Sequence, residues 1–238
     1  MIRIGLLTIA SLSLALILGL IPAKRWQSQA PPKAYPTMAP LDQYLMADRN
    51  AEIALARSAA PEAISREAGV LVLGRHGYET AVEGKNGFVC VVERGWMSPS
   101  DAPEFWNPKL RGPICFNPPA VRSVLPTTLM RTEMVLAGRT KAEIIDGNKA
   151  AFEKGELPPL EPGAMSYMMS KDAYLTDGGG HNLSHLMFYT PPLDGKVWGA
   201  DLPKSPVMLI PQFKDAQPID VFIVPVGRWS DGSIAPVM

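Results

Sequence analysis

The chain is poor in the residues that mark the commonest chemistries. Its 238 residues include only two cysteines and three histidines, and its formal net charge is zero. Two cysteines are too few for a scaffold held together by several disulfides. The sequence also lacks the glycine-rich fingerprints of dinucleotide and phosphate binding, and the HExxH, GxSxG and SxxK motifs of common hydrolases. These absences disfavour dinucleotide enzymes, NTPases and α/β-hydrolases.

The zero net charge conceals an uneven distribution. Residues 1–41 contain four basic residues and no acid, which leaves 19 basic against 23 acidic residues from Asp42 onward. The body of the chain is therefore mildly acidic, and it has no basic stripe of the kind that binds phosphate backbones. On this ground we exclude nucleic acid as a partner.

An uncharged run of 18 residues, Ile4–Ile21, follows Arg3 near the N-terminus. A positive start followed by an apolar run is typical of a secretion signal. At ~1.5 Å per helical residue the run reaches about 27 Å, close to the thickness of a hydrocarbon core of roughly 30 Å. The sequence predicts an N-terminal hydrophobic helix in residues 1–23, acting as a signal peptide or a membrane anchor. The protein is then periplasmic, secreted, or anchored in the cytoplasmic membrane.

Residues 24–40 are rich in proline and predict a tether, and residues 41–238 predict a single α+β domain. Its sheet is mostly antiparallel, with six to seven strands packed with two or three helices. Three strands with an Asn86-Gly87 turn predict an antiparallel meander over residues 70–94. The later strands are expected at residues 165–169, 186–189, 207–210 and 219–226. Helices are expected over residues 41–60 and 118–152, the second interrupted at Pro126 and restarted by a capping box at Thr140.

Two acids, Asp48 and Glu52, lie four residues apart on the apolar face of the first predicted helix. A pair of carboxylates at this spacing can bind a cation or act as acid and base. The interpretation that we favour is structural, with both acids bonded to arginine side chains of the body. Similarly, we expect Trp96, Phe105 and Trp106 to fill the core beneath a long loop rather than to line a ligand groove.

If the protein is exported, its two cysteines are expected to form a disulfide. An oxidising compartment favours a disulfide between Cys90 and Cys115, which would pin the loop before Cys115 to the third strand. Two buried free thiols or a metal-binding pair are the alternatives, and the absence of CxxC spacing disfavours the metal.

The three histidines are the main candidates for a site. His181 and His185 follow three consecutive glycines and point to the same side of an extended chain. Imidazole is a common ligand of zinc and copper, and His76, in a turn between two strands, is a candidate third ligand. The sequence therefore predicts a small-ligand or transition-metal site at the His181/His185 loop, although two nearby histidines are more often hydrogen-bonded residues of a structural loop.

Two other functions stay open. An envelope hydrolase would use His185 or His181 as general base, with Asp177 orienting the imidazole. A noncatalytic envelope interaction module would need neither histidine. The methionines offer a further metal hypothesis, because thioether sulfur and imidazole together suit copper(I). The methionines considered for this copper site are Met165, Met168, Met169 and Met187.

Three stretches of the body resemble uncharacterised exported proteins of bacteria. They are ALARSAAP from Ala54, SYMMSK from Ser166 and HLMFYTP from His185. The resemblance implies an envelope location and carries no activity with it.

Overall fold

The computed structural model describes residues 35–178, 183–210 and 217–236. They form an α+β fold with one eight-stranded, mostly antiparallel sheet and five helices. The predicted fold class is confirmed, with more strands and helices than expected. The strands are β1 (Gly69–Gly74), β2 (Gly77–Val82), β3 (Val89–Glu93), β4 (Gly112–Phe116), β5 (Met165–Met168), β6 (His185–Thr190), β7 (Met208–Ile210) and β8 (Asp220–Pro225), and the helices are α1 (Arg49–Arg57), α2 (Glu62–Ser65), α3 (Pro118–Ser123), α4 (Leu125–Leu136) and α5 (Lys141–Glu153).

The strand order is β2-β1-β3-β4-β5-β6-β8-β7, and β1 and β3 are parallel. The predicted antiparallel meander is therefore wrong, because β3 pairs with β1 and not with β2. The chain crosses the start of β1 at Gly84, where an added Cβ would lie 2.3 Å from the Gly69 nitrogen. Asn86 serves this crossing rather than a hairpin, since its amide donates to the Ile64 carbonyl and its oxygen accepts from the Phe88 nitrogen.

The fourth strand, β4, lies in a region where the sequence predicts a loop leading to Cys115. Pro113 within this strand hides the β pattern, since proline lacks the N–H that a sheet ladder uses. In the structure Cys90 and Cys115 lie directly opposite each other on β3 and β4 and form a disulfide. The predicted pairing is confirmed, but the bridge links two neighbouring strands rather than a loop and a strand.

Helices cover both faces of the sheet. Helix α1 packs on β1, β3 and β4, over the face that carries Cys90 and Val92. On the opposite face, Val124 of the α3–α4 junction and Leu125 of α4 join a core with Ile114 and Val221. The sheet is thus enclosed where its central strands are most apolar.

The first predicted helix is shorter than the expected 41–60. It begins after Asp48, whose side chain accepts a hydrogen bond from the Asn50 nitrogen as an N-cap, and it ends at Arg57. Residues Leu41–Gln43 form a separate 3-10 turn. Asp48 is therefore a cap, and the expected bond to an arginine applies only to Glu52, which pairs with buried Arg94.

The helical centre follows the sequence pattern closely. The α3–α4 junction lies at Val124, just before Pro126, and α5 begins with the complete capping box of Thr140 and Glu143. The helices α4 and α5 are followed by Gly138 and Gly155, both with positive φ.

The predicted hydrophobic helix 1–23 and most of the tether lie outside the described residues. Tyr35, Met38 and Ala39, at the end of the tether, contact a buried cluster that includes Trp96, Phe105 and Trp106. The three aromatic side chains fill the core, as expected. No helix in the described part of the chain is long and apolar enough to span a bilayer.

Candidate functional site

One face of the sheet, at the end where β3 finishes and β6 begins, carries an unusual set of side chains. The register places Glu93 opposite Gly112 and Met168 opposite His185. Side chains two residues apart along a strand share a face, so Met187 lies on the same side as His185. This juxtaposition arises from four neighbouring strands that are far apart in sequence.

These residues form the floor of a cleft of about 240 Å³. The segment after β3 provides its opposite wall, through Met97, Ser98 and Pro99. We call this space the methionine cleft. It is lined by Glu93, Arg94, Met97, Ser98, Pro99, Leu110, Gly112, Met168, Leu175, His185, Met187, Ile210 and Ile223.

Glu93 is the acid at one end of the cleft. Its carboxylate accepts a hydrogen bond of 3.0 Å from the Thr128 hydroxyl of α4. Burial raises the pKa of Glu93 to about 7, and the Thr128 hydrogen bond and the nearby Arg131 charge only partly oppose this effect. Glu93 is therefore a group that can hold a proton at neutral pH inside an apolar cleft.

We expect the free energy of unfolding to show this titration. Between the ordinary glutamate pKa of 4.5 and about 7, the unfolded chain releases a proton that folded Glu93 keeps, so stability falls as pH rises. Glu93→Gln removes the titration while keeping an acceptor for Thr128. Urea unfolding should show that the free energy of unfolding of wild type, relative to that of Glu93→Gln, falls by roughly 2–3 kcal/mol between pH 4.5 and 8. If wild type and Glu93→Gln differ in stability by the same amount at both pH values, the raised pKa of Glu93 is wrong.

His185 lies on β6, about 14 Å across the sheet from β3, the strand of Glu93, since three inter-strand steps of roughly 4.8 Å separate the two strands. It is buried, and its Nδ1 lies 2.6 Å from the Leu183 carbonyl oxygen. A carbonyl oxygen can only accept, so Nδ1 carries the hydrogen and Nε2 keeps its lone pair. Burial lowers the pKa of His185, and the Leu183 hydrogen bond opposes the effect only in part. The imidazole is therefore neutral at neutral pH.

The structure does not bring His76 to His185. His76 is exposed in the turn between β1 and β2. Three strands separate β1 from β6, so four steps of roughly 4.8 Å place these two strands about 19 Å apart, and His76 lies beyond the end of β1. His181 lies outside the described residues. Among the residues that are described, no three His, Cys, Asp or Glu side chains cluster as a metal site would require.

Asp177, the acid expected to orient a catalytic histidine, has other partners. It accepts short hydrogen bonds from the hydroxyls of Tyr35 and Tyr174, and Lys109 Nζ lies 3.5 Å away. The two hydrogen bonds, that of Tyr174 foremost, lower the pKa of Asp177. Asp177 therefore links Tyr35, in the predicted tether, to Tyr174 and Lys109, while His185 Nδ1 bonds to the Leu183 carbonyl.

Sequence reasoning missed Glu93, Met97 and Gly112. Glu93 could have been recognised as a candidate from the sequence, because it is a charged residue at the end of the apolar strand β3. Of the four methionines considered for copper, Met168 and Met187 line the cleft. Met165, an odd number of residues from Met168 along β5, points to the opposite face.

Comparison of the chain with protein-family models, with curated proteins and with solved structures finds no match. The methionine cleft is therefore the feature of the molecule from which we infer a function.

Proposed function

We propose that this protein is an exported or membrane-tethered domain that binds a small, mostly apolar molecule in the methionine cleft. The observation that carries the proposal is the cleft itself, about 240 Å³ in volume, with mostly apolar walls and with Glu93 and His185 among its few polar groups. Binding pockets are commonly about 300–1,000 Å³, mostly apolar, with few polar groups that fix orientation. A cleft slightly below this range suits a small ligand.

The chemistry of the two ends defines the ligand further. Below pH 7, protonated Glu93 can donate a hydrogen bond, while His185 Nε2 can accept one. Between them the floor includes Met168, Met187 and Gly112. Methionine side chains adapt to varied apolar shapes, so the cleft favours a molecule with an apolar centre and a hydrogen-bonding group at either end.

Export is supported by two independent features. The apolar run Ile4–Ile21 has the pattern of a signal or an anchor, and the disulfide between Cys90 and Cys115 is typical of an oxidising compartment. The proposal thus places the cleft outside the cytoplasm.

Filling the cleft tests the proposal. A Cβ added to Gly112 would lie 3.4 Å from Leu175 Cδ2 and 3.6 Å from Met168 Cε, which is ordinary contact. Gly112→Val adds two methyl groups beyond that Cβ and suits a strand. We expect it to lower the affinity for the apolar fluorescent probe N-phenyl-1-naphthylamine at least tenfold, measured by fluorescence titration.

Gly112→Ala is the matched control, because its single methyl group fits and should change the affinity only a few-fold. Circular dichroism and the melting temperature of both variants verify that the fold is kept. Binding of the probe by folded Gly112→Val as tightly as by wild type would overturn the proposal, as would failure of the wild type to bind it.

A further inference from the structure

We infer that Met168, His185 and Met187 form a binding site for a soft monovalent cation, copper(I) or its analogue silver(I), on the floor of the methionine cleft. The inference deepens the proposed function and rests on it, because the cleft must admit a ligand. It narrows the copper hypothesis raised from the sequence to Met168 and Met187, and it takes one histidine from the adjacent strand in place of a histidine cluster.

The sheet register sets the geometry of the three side chains. Met168 on β5 lies directly opposite His185 on β6. Met187 lies opposite Ser166, so it is the diagonal neighbour of Met168 on the same face. Directly opposed residues have Cβ atoms about 4.5–5.5 Å apart, and diagonal neighbours about 7–8 Å. Flexible methionine side chains can close such gaps around one ion.

The hydrogen bond of His185 orients its imidazole ring as a metal ligand would need. Its Nδ1–H donates to the Leu183 carbonyl, which fixes the ring and leaves Nε2 as the donor atom. Metal-binding histidines usually have such a partner on the other ring nitrogen. His185 also lines the cleft, so its ring borders the space where the ion would be held.

The donor set selects the metal. Two thioethers and one imidazole are soft ligands that favour copper(I), whereas zinc, magnesium and calcium favour thiolate, additional imidazole or oxygen ligands. Glu93, the carboxylate of the cleft, lies three strands from His185. Met97, on the opposite wall, is the available fourth donor. Both cysteines of the chain are in the disulfide, so thiols do not compete for the ion.

Silver(I) is the probe of choice, because it needs no reductant that would attack the disulfide. In chloride-free buffer, isothermal titration of the full chain should show one equivalent of tightly bound silver(I). With methionine labelled by 13C at its methyl group, two resonances should move most, and Met168→Leu and Met187→Leu should each remove one of them. The double variant should bind silver(I) at least 100-fold more weakly.

Met169→Leu is the matched control, since Met169 is the next residue in sequence, is buried, and does not line the cleft. It should bind silver(I) like wild type. Leucine conserves the volume of methionine, and the melting temperature verifies that each variant folds. The inference is overturned if the double variant binds as wild type, if Met169→Leu is weakened equally, or if the shifted methyl groups belong to other methionines.

The two proposals fail separately. If N-phenyl-1-naphthylamine binds and Gly112→Val prevents it, while silver(I) does not bind, the metal site is wrong and the ligand cleft stands. If silver(I) binds through Met168 and Met187 while the apolar probe does not bind, the organic ligand is wrong and the site belongs to the metal.

Discussion

Glu52→Gln is expected to destabilise the protein by about 3–5 kcal/mol, because it leaves the Arg94 charge buried without a counter-ion. Both side chains are buried, and Arg94 Nη2 lies 2.8 Å from Glu52 Oε1. The same carboxylate oxygen accepts from the Leu73 nitrogen at 3.1 Å. Glutamine has nearly the same shape as glutamate and leaves no cavity. The decrease in the free energy of unfolding therefore reports the removal of the charge.

Thermal and urea unfolding measure the effect. A loss of this size should lower the melting temperature by about 10 °C in a domain of about 200 residues. Glu62→Gln is the matched control, since Glu62 and Arg66 form a solvent-exposed ion pair that should contribute little to stability. If Glu52→Gln and Glu62→Gln unfold at the same urea concentration, the buried pair does not stabilise the fold as argued.

The buried pair also supports the methionine cleft. Arg94 follows Glu93 directly and lines the cleft, and its Nε donates to the Tyr44 carbonyl at 2.8 Å. Its position thus links helix α1, through Glu52, to the end of β3. Glu93 is the last residue of that strand. Glu52→Gln should therefore also lower the apparent affinity for the probe, because molecules in which the end of β3 is displaced no longer present an intact cleft.

Local structure could be predicted from the sequence because local chemistry determines it. The capping box at Thr140, the interruption near Pro126 and the β-branched runs of β1 and β3 all lie where expected. Strand pairing could not be predicted in the same way. In isolation the Asn86-Gly87 dipeptide favours a hairpin. In the fold, however, the chain passes over the start of β1, where Gly84 packs closely on Gly69, and β3 then pairs with β1 in parallel.

In the candidate site too, the residues could be recognised from the sequence but the pairing of their strands could not. Histidine content drew attention to His76, His181 and His185, yet sequence proximity says nothing of which strands become neighbours. The pairing of β5 with β6 is what places Met168 opposite His185. Predicting that pairing requires the register of two strands separated by 16 residues between Met168 and His185, and part of that connection lies outside the described residues.

Removal of the disulfide by Cys90→Ala together with Cys115→Ala is expected to cost about 3 kcal/mol. The two cysteines are 25 residues apart in sequence, and closing a loop of this length restricts the unfolded chain by about that amount. Both cysteines are fully buried, so a reductant reaches them only when the protein opens. Urea unfolding with and without dithiothreitol measures the effect. Wild type should lose stability on reduction, while the double variant should be insensitive to the reductant.

The bridge joins β3 to β4, the strands that carry Glu93 and Gly112 at the cleft. If the disulfide acts through the unfolded chain, as the loop argument requires, folded protein without it should bind N-phenyl-1-naphthylamine with the wild-type affinity at low temperature. A loss of affinity in fully folded Cys90→Ala/Cys115→Ala would instead mean that the bridge positions the cleft floor. Equal urea midpoints for oxidised and reduced wild type would contradict the stability prediction. The expected combination, lower stability with unchanged binding, would mean that oxidation of the two cysteines keeps the protein folded and is not needed for its binding chemistry.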